Sequence, residues 1–281
     1  MANFLKGIVA GMAVIFAVAC SSSSSTADSS EMDGSNQEKV GEELRVMAYN
    51  IHHANPPSKP EFIDLNAIVE TIRNEDPDLV ALQEVDFNTE RSGAGNQAEQ
   101  IASLLNMNYF FGKAIDYEGG EYGVAILSKF PLAEEKVERL PTQAGTNGEP
   151  RVLVTAKIVT PKGNTIRFGS THLDAQREPT NRLLQIKKIV ELAQDEELPF
   201  IIAGDFNAVQ DSEVMNIFTN DFGLTCTDCP FTISTDNPVK TIDFIGFNPA
   251  SGKFKVKNHH VVKQDYASDH FPIVSNLVIV Q

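Results

Sequence analysis

Side chains that can bind a metal ion or transfer a proton lie beside several apolar runs of this sequence, either where a run stops or where the next one begins. They lie in the segments LRVMAYN, DLVALQE, IRFGSTH, GDFN, TIDF and SDH. In α/β proteins, sites assemble at strand ends because a rigid sheet aims the side chains and the adjoining loops leave room for a ligand. The residues concerned are Asn50, Glu84, His172, Asp205, Asn207, Asp243, Asp269 and His270.

Each of these residues also has a structural explanation when it is taken alone. Asp and Asn are common turn formers and helix caps, and a single His beside a strand often serves only as a hydrogen-bonding residue. Eight such positions in one chain favour a functional site instead.

The elements that must position these residues follow from the hydrophobic periodicity, which predicts ten strands and four helices. No helix separates the strands between Tyr122 and Thr171, which implies antiparallel pairing and excludes a doubly wound parallel sheet. We therefore expect a two-sheet α/β sandwich with its helices on the outside. The predicted strands are 44–50, 78–83, 108–112, 122–128, 151–159, 165–171, 200–203, 241–247, 253–262 and 271–280, and the predicted helices are 63–74, 96–105, 180–193 and 212–218.

In this order, the motifs resemble the endonuclease/exonuclease/phosphatase superfamily, the metal-dependent phosphoesterases with the DNase I-like fold. The resemblance extends from about Leu44 to Ile279. It implies a four-layered α/β sandwich in which two face-to-face mixed β-sheets are flanked by helices. It also implies hydrolysis of phosphodiester or phosphomonoester bonds by metal-assisted attack of an activated water.

The resemblance also implies a metal site. Glu84 would be the principal ligand of Mg²⁺, with Asn50 and Asp269 close to the same ion. Oxygen ligands of this kind suit Mg²⁺, and Mn²⁺ or Ca²⁺ could replace it.

The catalytic roles that the resemblance implies fall on five residues. Asp243 would hold and polarise His270, and Asp205 would orient or deprotonate the attacking water. Asn207 would steady the phosphate, and His172 would donate to a phosphate oxygen or to the leaving group. Either His270 or Asp205 can be the formal base at this stage.

Two further positions match substrate-facing places in the family. Tyr122 and Arg151 would face the phosphate, or else be the end of a surface strand and a salt-bridged arginine. The pairs His52–His53 and His259–His260 are expected to be solvated, because adjacent side chains on a strand point to opposite faces.

The N-terminal region predicts export. Residues 1–20 resemble a lipoprotein signal peptide that ends at Cys20, the expected lipidation site. Its apolar stretch of twelve residues is shorter than the roughly 20 residues that a helix needs to span a bilayer. The alternative is an ordinary cleaved signal. Residues 21–43 form a Ser-rich tether, 44–281 form the enzyme domain, and a cell-envelope lipoprotein is expected. In such an oxidising compartment Cys226 and Cys229 would be a tight disulfide or two free thiols.

The net charge of the chain limits the classes of substrate that we expect. The net charge is −15, and residues 1–43 hold two basic and six acidic side chains, so the domain carries −11. This acidity argues against a long polyanion, because nucleic-acid binding uses a basic surface. We expect a monomeric enzyme that acts on an organic phosphate ester, with a DNA or RNA nuclease and a catalytically silent binding module as alternatives.

Overall fold

Residues 41–248 and 251–280 are the part of the chain that this computed structural model describes, and they belong to a compact unit that spans Lys39–Gln281. The predicted signal peptide with Cys20, and the tether as far as residue 40, lie outside the described residues. Among the described residues, no helix is long and apolar enough to cross a membrane.

The described residues form twelve strands and four α-helices. The strands are β1 (Glu42–Asn50), β2 (Leu79–Phe87), β3 (Asn108–Tyr117), β4 (Gly120–Ser128), β5 (Leu132–Leu140), β6 (Arg151–Val159), β7 (Thr165–His172), β8 (Phe200–Asp205), β9 (Gly223–Leu224), β10 (Asp243–Phe247), β11 (Phe254–Val261) and β12 (Ile273–Ile279). The helices are α1 (Leu65–Glu75), α2 (Gln97–Leu105), α3 (Thr180–Gln194) and α4 (Glu213–Thr219).

The strands form two six-stranded sheets, in the orders β11-β12-β1-β2-β4-β3 and β5-β6-β7-β8-β10-β9. Each sheet has one parallel pair at its centre, β1 with β2 and β7 with β8, and the other pairs are antiparallel. These mixed sheets with flanking helices confirm the predicted α/β sandwich, and the carboxyl ends of the two parallel pairs carry the candidate site.

The core follows the two-residue period of the strands. In β1, Val46 and Ala48 pack between the sheets with Phe168 and Ala203 of the second sheet, whereas Met47 faces the layer of α1 and α2. A third cluster lies between the second sheet and helices α3 and α4. Both sheets are therefore buried on both faces, which holds their strand ends rigidly.

Side-chain caps begin three of the helices. Asp64 accepts a hydrogen bond from the backbone N–H of Ala67 at the start of α1, Asn96 caps α2, and Ser212 caps α4. Such caps satisfy backbone donors that the first helical turn leaves without partners.

Two predicted boundaries differ from the structure in ways that matter for the site. The strand predicted over 78–83 ends just before Glu84, but β2 continues through Glu84 to Phe87. The first strand begins at Glu42, so Glu42 and Glu43, predicted as tether, belong to β1, where the Glu42 carboxylate accepts hydrogen bonds from Thr160 and Asn164.

Cys226 and Cys229 form a disulfide in the loop after β9, which decides between the two alternatives left open by the sequence.

Candidate active site at the rim of the two sheets

Strand register aligns three of the predicted residues across the second sheet. His172 at the end of β7 is the parallel partner of Asp205 at the end of β8, and Asp205 is the antiparallel partner of Asp243 at the start of β10. All three side chains are buried. Adjacent strands lie about 4.8 Å apart, so the register alone brings one imidazole and two carboxylates together.

The segment before β12 adds His270 to this row. Its Nδ1 atom lies 3.0 Å from Oδ2 of Asp243, and its Nε2 atom lies 3.8 Å from Oδ2 of Asp205. Ser268 holds the segment in place, because its hydroxyl donates to the carbonyl of Asn50 at 2.7 Å and accepts from the backbone N–H of His270 at 3.2 Å. The sequence prediction assigned no role to Ser268, although it lies inside the SDH motif.

Asn50 joins the two sheets. Its Nδ2 atom donates to Oε1 of Glu84 and to Oδ2 of Asp205, at 3.1 Å each. Its Oδ1 atom accepts from the backbone N–H of His52 at 3.1 Å, which fixes the amide with its N–H groups toward the carboxylates. In this structure Asn50 therefore bridges two predicted site residues as a hydrogen-bond donor.

A β-bulge directs Glu84 into the site. Between the pairs Leu82–Ala125 and Val85–Gly123, β2 contains one residue more than β4, and Glu84 has a φ of +57°. Leu82 and Val85 both pack against the helices, so Gln83 and Glu84 both turn toward the second sheet. A bulge re-aims side chains in this way, and the sequence pattern of the strand does not reveal it.

His172 is a neutral hydrogen-bond donor. Burial and the neighbouring charge of Arg151 hold the pKa of His172 well below its usual range. Nη1 of Arg151 lies 3.2 Å from Nδ1 of His172. Because a guanidinium only donates, Nδ1 carries the lone pair and Nε2 carries the proton. That proton faces Asp205, whose Oδ2 is 3.5 Å away.

Asp205 and His270 have pKa values displaced in a direction that suits catalysis. Burial and the charge of Asp243 raise the pKa of Asp205. Burial alone would lower the pKa of His270, but the charge and hydrogen bond of Asp243 and the charge of Asp205 raise it overall. His270 is accordingly a cation at neutral pH, and Asp205 is the carboxylate whose proton affinity is closest to that of a general base.

Glu84 is held as a carboxylate. Burial would raise its pKa, but the contacts with His53 and Asn50 and the charge of His172 outweigh burial and lower it well below the usual range.

The donor set fits a divalent cation. Oδ1 of Asp243 and Oδ1 of Asp269 are buried and make no hydrogen bond among the described residues. Among the described residues, one donor atom each from Asp205, Asp243 and His270 lie within 4.8 Å of one another, Glu84 belongs to a separate group with His52 and His53, and Asp269 belongs to neither group. Buried carboxylate oxygens without donors are costly unless a cation or water binds them, and Mg²⁺ prefers such oxygen ligands.

The remaining predicted residues line the same region. Arg151 binds His172 and pairs with Glu149 at 2.8 Å, so the salt-bridged alternative also describes it. Tyr122 is 8% exposed, and burial together with the charge of Glu84 raises its pKa well above the usual range. Nδ2 of Asn207 donates to the carbonyl of Leu173 at 3.0 Å.

His52 and His53 differ from the expectation that they are solvated. They lie in a short 3₁₀ turn after β1, with φ values of +46° and +43°, and their ring centroids are 4.5 Å apart. The expectation assumed strand geometry, in which neighbours point apart. In the left-handed turn both rings lie on the side of Glu84, and Nδ1 of His53 is 3.9 Å from Oε2 of Glu84.

Comparison with known proteins gives a family match over most of the chain. A model described as "Endonuclease/Exonuclease/phosphatase family" matches residues 47–270. The inositol phosphosphingolipids phospholipase C of Schizosaccharomyces pombe is 28% identical over 206 residues, covering 65% of this chain and 45% of that protein. The chain thus spans less than two thirds of the length of the curated relatives that it matches first.

Solved structures share the fold. An endonuclease/exonuclease/phosphatase from Beutenbergia cavernae superposes with a TM-score of 0.72 at 23% identity, covering 84% of this chain and 72% of that one. The mannosyl-6-phosphatase of Bacteroides thetaiotaomicron superposes with a TM-score of 0.69 at 20% identity, covering 84% of this chain and 100% of that one.

Proposed function

Because this chain belongs to the endonuclease/exonuclease/phosphatase family, whose members are hydrolases of phosphoesters, we propose that it is a metal-dependent phosphoesterase that acts through an activated water. One observation carries the proposal. Asn50 hydrogen-bonds both Glu84 of the first sheet and Asp205 of the second, which joins the predicted metal ligand to the row of acid–base residues.

The residues of this chain divide the proton transfers among them. Asp205, whose pKa is raised, orients the attacking water and accepts its proton. His270, cationic and held by Asp243, stabilises negative charge that develops on the phosphoryl oxygens. His172 is neutral and carries its proton on Nε2, from which it donates a hydrogen bond to a phosphate oxygen or to the leaving-group oxygen.

The proposed metal ion would bind to the carboxylates of the site. Glu84 and Asp269 would hold Mg²⁺, with Mn²⁺ and Ca²⁺ as possible replacements, and Asn50 would lie beside it. A bound divalent ion supplies charge neutralisation at the phosphate oxygens and lowers the pKa of bound water.

The substrate we propose is an organic phosphodiester or monoester rather than a long nucleic acid. The acidic domain supports this choice, since it offers little attraction to a polyanion. The test is hydrolysis of bis-p-nitrophenyl phosphate, p-nitrophenyl phosphate, mannose 6-phosphate and plasmid DNA, each with Mg²⁺ and with chelator. We expect chelator-sensitive turnover of a small ester. Cleavage of plasmid alone would establish the nuclease alternative, and no turnover at all would favour the silent binding module.

A lipid phosphodiester is the second candidate, and the relative from Schizosaccharomyces pombe favours it. That protein is named as a phospholipase C of inositol phosphosphingolipids, and its alignment covers 65% of this chain. Release of a phosphorylated headgroup from sphingolipid vesicles, with mannose 6-phosphate left intact, would establish this candidate over the soluble ester.

We also propose that the protein is exported and anchored through Cys20. The apolar stretch that ends at this cysteine and the Ser-rich segment after it support the proposal. Fractionation of cells that express wild type or Cys20→Ser tests it. Membrane recovery that is lost in the variant is expected, and equal recovery of both proteins in the soluble fraction would contradict it.

A further inference from the structure

The pair His52 and His53 forms, with Glu84, a second cluster of metal-ligating atoms beside the acid–base row. One donor atom from each of the three residues lies within 4.8 Å of the others. Ligand atoms bound to one ion at 2.0–2.2 Å lie no more than about 4.4 Å apart, so small side-chain movements would close the set.

The hydrogen bond of His52 leaves its Nε2 atom free to bind a metal ion. Nδ1 of His52 lies 2.8 Å from the carbonyl oxygen of Asn55. A carbonyl only accepts, so Nδ1 carries the proton and Nε2 keeps its lone pair. Metal-binding histidines commonly use this arrangement, in which a backbone carbonyl fixes the tautomer and the orientation of the ring.

One ring nitrogen of His53 has no hydrogen-bond partner among the described residues and is available to a ligand. This atom, Nδ1, is buried. The same atom lies 3.9 Å from Oε2 of Glu84, and the side chains of His53 and Glu84 are 13% and 21% exposed. This exposure leaves a path for an ion to enter from solvent.

The two oxygens of Glu84 face different neighbours. Oε1 accepts from Asn50, on the side of Asp205, whereas Oε2 faces His53. A single carboxylate can therefore serve an oxygen-rich site on one side and an imidazole site on the other.

The turn that carries the two histidines has a strained backbone. His52, His53 and Ala54 all have positive φ values, of +46°, +43° and +60°. Residues other than glycine rarely adopt this left-handed conformation, because Cβ then lies close to the following carbonyl oxygen. Gln97 helps to hold the turn by donating to the carbonyl of His53 at 2.7 Å.

We propose that His52, His53 and Glu84 form a second metal site, selective for a borderline divalent transition ion such as Zn²⁺ or Co²⁺ rather than Mg²⁺. Two imidazoles and one carboxylate match the ligands of catalytic Zn²⁺ sites, whereas Mg²⁺ prefers oxygen ligands alone. The proposal rests on the proposed function only in sharing Glu84.

The test is a titration of the purified protein with Co²⁺, followed by its visible absorption, in excess Mg²⁺ that occupies oxygen-only sites. The variants are His53→Gln and the double variant H52Q/H53Q. His53→Gln removes a nitrogen atom that makes no hydrogen bond, so it should fold. The matched control is H259Q/H260Q, which alters the other His pair, on β11, where the rings contact Thr225 and Glu75.

We expect wild type and H259Q/H260Q to bind one Co²⁺ that Zn²⁺ displaces, and His53→Gln to bind it at least about tenfold more weakly. Absence of Co²⁺ binding to wild type, or equal binding by wild type and His53→Gln, would overturn the proposal. Mg²⁺-dependent hydrolysis by the same wild-type sample reports separately on the proposed function, so the two failures can be told apart.

Discussion

The protonation state of each site residue follows from the partner that it contacts. Asp243 keeps His270 cationic, burial and the charge of Arg151 keep His172 neutral, and burial together with the charge of Asp243 raises the pKa of Asp205. Two histidines in one site thus acquire different charge states, which separates a charge-stabilising role from that of a neutral hydrogen-bond donor.

Replacement of His270 tests its role as the cation that faces the phosphate. We expect His270→Asn to lower kcat by about 10²- to 10⁴-fold, because the positive charge held by Asp243 is lost. Steady-state hydrolysis of bis-p-nitrophenyl phosphate measures the effect. His260→Asn, at a histidine of β11 that contacts Glu75, should keep wild-type kcat. Near-normal turnover by His270→Asn would remove His270 from the mechanism.

The raised pKa of Asp205 predicts the acid limb of the pH–rate profile. Only the carboxylate form can accept a proton, so kcat should rise with pH as Asp205 deprotonates, at a pH above the ordinary aspartate value of about 4. Asp243→Asn removes the charge that raises this pKa and should shift the limb to lower pH. A profile of kcat against pH for both proteins checks this. A limb that stays at the same pH in Asp243→Asn contradicts the assignment.

At the scale of elements, the hydroxyl of Ser170 on β7 makes two hydrogen bonds to β2 across the sandwich, directly beneath the bulge. It accepts from Nε2 of Gln83 at 3.1 Å and donates to the carbonyl of Leu82 at 3.2 Å, and the side chains of Gln83 and Ser170 are fully buried. Because Gln83 precedes Glu84, these bonds tie the bulge to the second sheet.

Ser170→Ala should therefore affect both stability and turnover. The variant leaves the buried amide of Gln83 without its partner, which should cost about 1–3 kcal/mol in the free energy of unfolding, and it loosens Glu84 enough to lower kcat. Urea unfolding and steady-state kinetics measure the two effects. Ser275→Ala, which removes a buried bond to Asn258 away from the site, should lower stability alone. Equal kcat values for the two variants would show that the hydrogen bond between Gln83 and Ser170 does not contribute to catalysis.

The contact of β11 with the loop after β9 makes stability depend on pH. Nδ1 of His259 lies 2.8 Å from the hydroxyl of Thr225, and burial lowers the pKa of His259 to about 4. The folded pKa lies below the unfolded value, so the unfolded state binds more protons between these values. The stability it contributes is full above about pH 6.5 and is lost as pH falls toward 4.

Urea unfolding at pH 7 and pH 5 tests this linkage. We expect wild type to lose about 2 kcal/mol more than His259→Gln does over this interval, since glutamine does not titrate. Equal losses in the two proteins would show that His259 titrates alike in the folded and unfolded states.

Periodicity located most of the elements, and the exceptions have physical causes. Strand β6 has the predicted bounds, because its side chains alternate between two apolar layers. Strand β5, LAEEKVERL, was missed because it lies at a sheet edge with mostly exposed polar side chains. Strand β9 has only two residues, too few for a pattern.

The site was predictable as a set of residues but not as a geometry. The positions at the ends of β7 and β8 could be read from where apolar runs stop. The bulge at Glu84 and the left-handed turn at His52 depend on backbone conformations that non-glycine residues rarely adopt. The local sequence therefore does not predict them.

At the scale of the molecule, the site exists only where two sheets meet. Asn50 and Glu84 come from one sheet, whereas His172, Asp205 and Asp243 come from the other. Packing of the sandwich therefore sets the distances on which the proposed chemistry depends. The surrounding acidity favours binding of a cation at this junction and supports the proposal of a substrate other than a long polyanion.

The most direct test of the central claim is hydrolysis of bis-p-nitrophenyl phosphate against Mg²⁺ concentration, by wild type and by Glu84→Gln. If Glu84 holds the ion at the junction of the sheets, wild type should be inactive in chelator and regain saturable activity with Mg²⁺. The variant should lose at least about 100-fold in kcat at the same Mg²⁺ concentration, because a neutral amide binds the ion weakly. Hydrolysis by wild type that persists in chelator, or full activity of Glu84→Gln, would contradict the metal-dependent phosphoesterase proposed here.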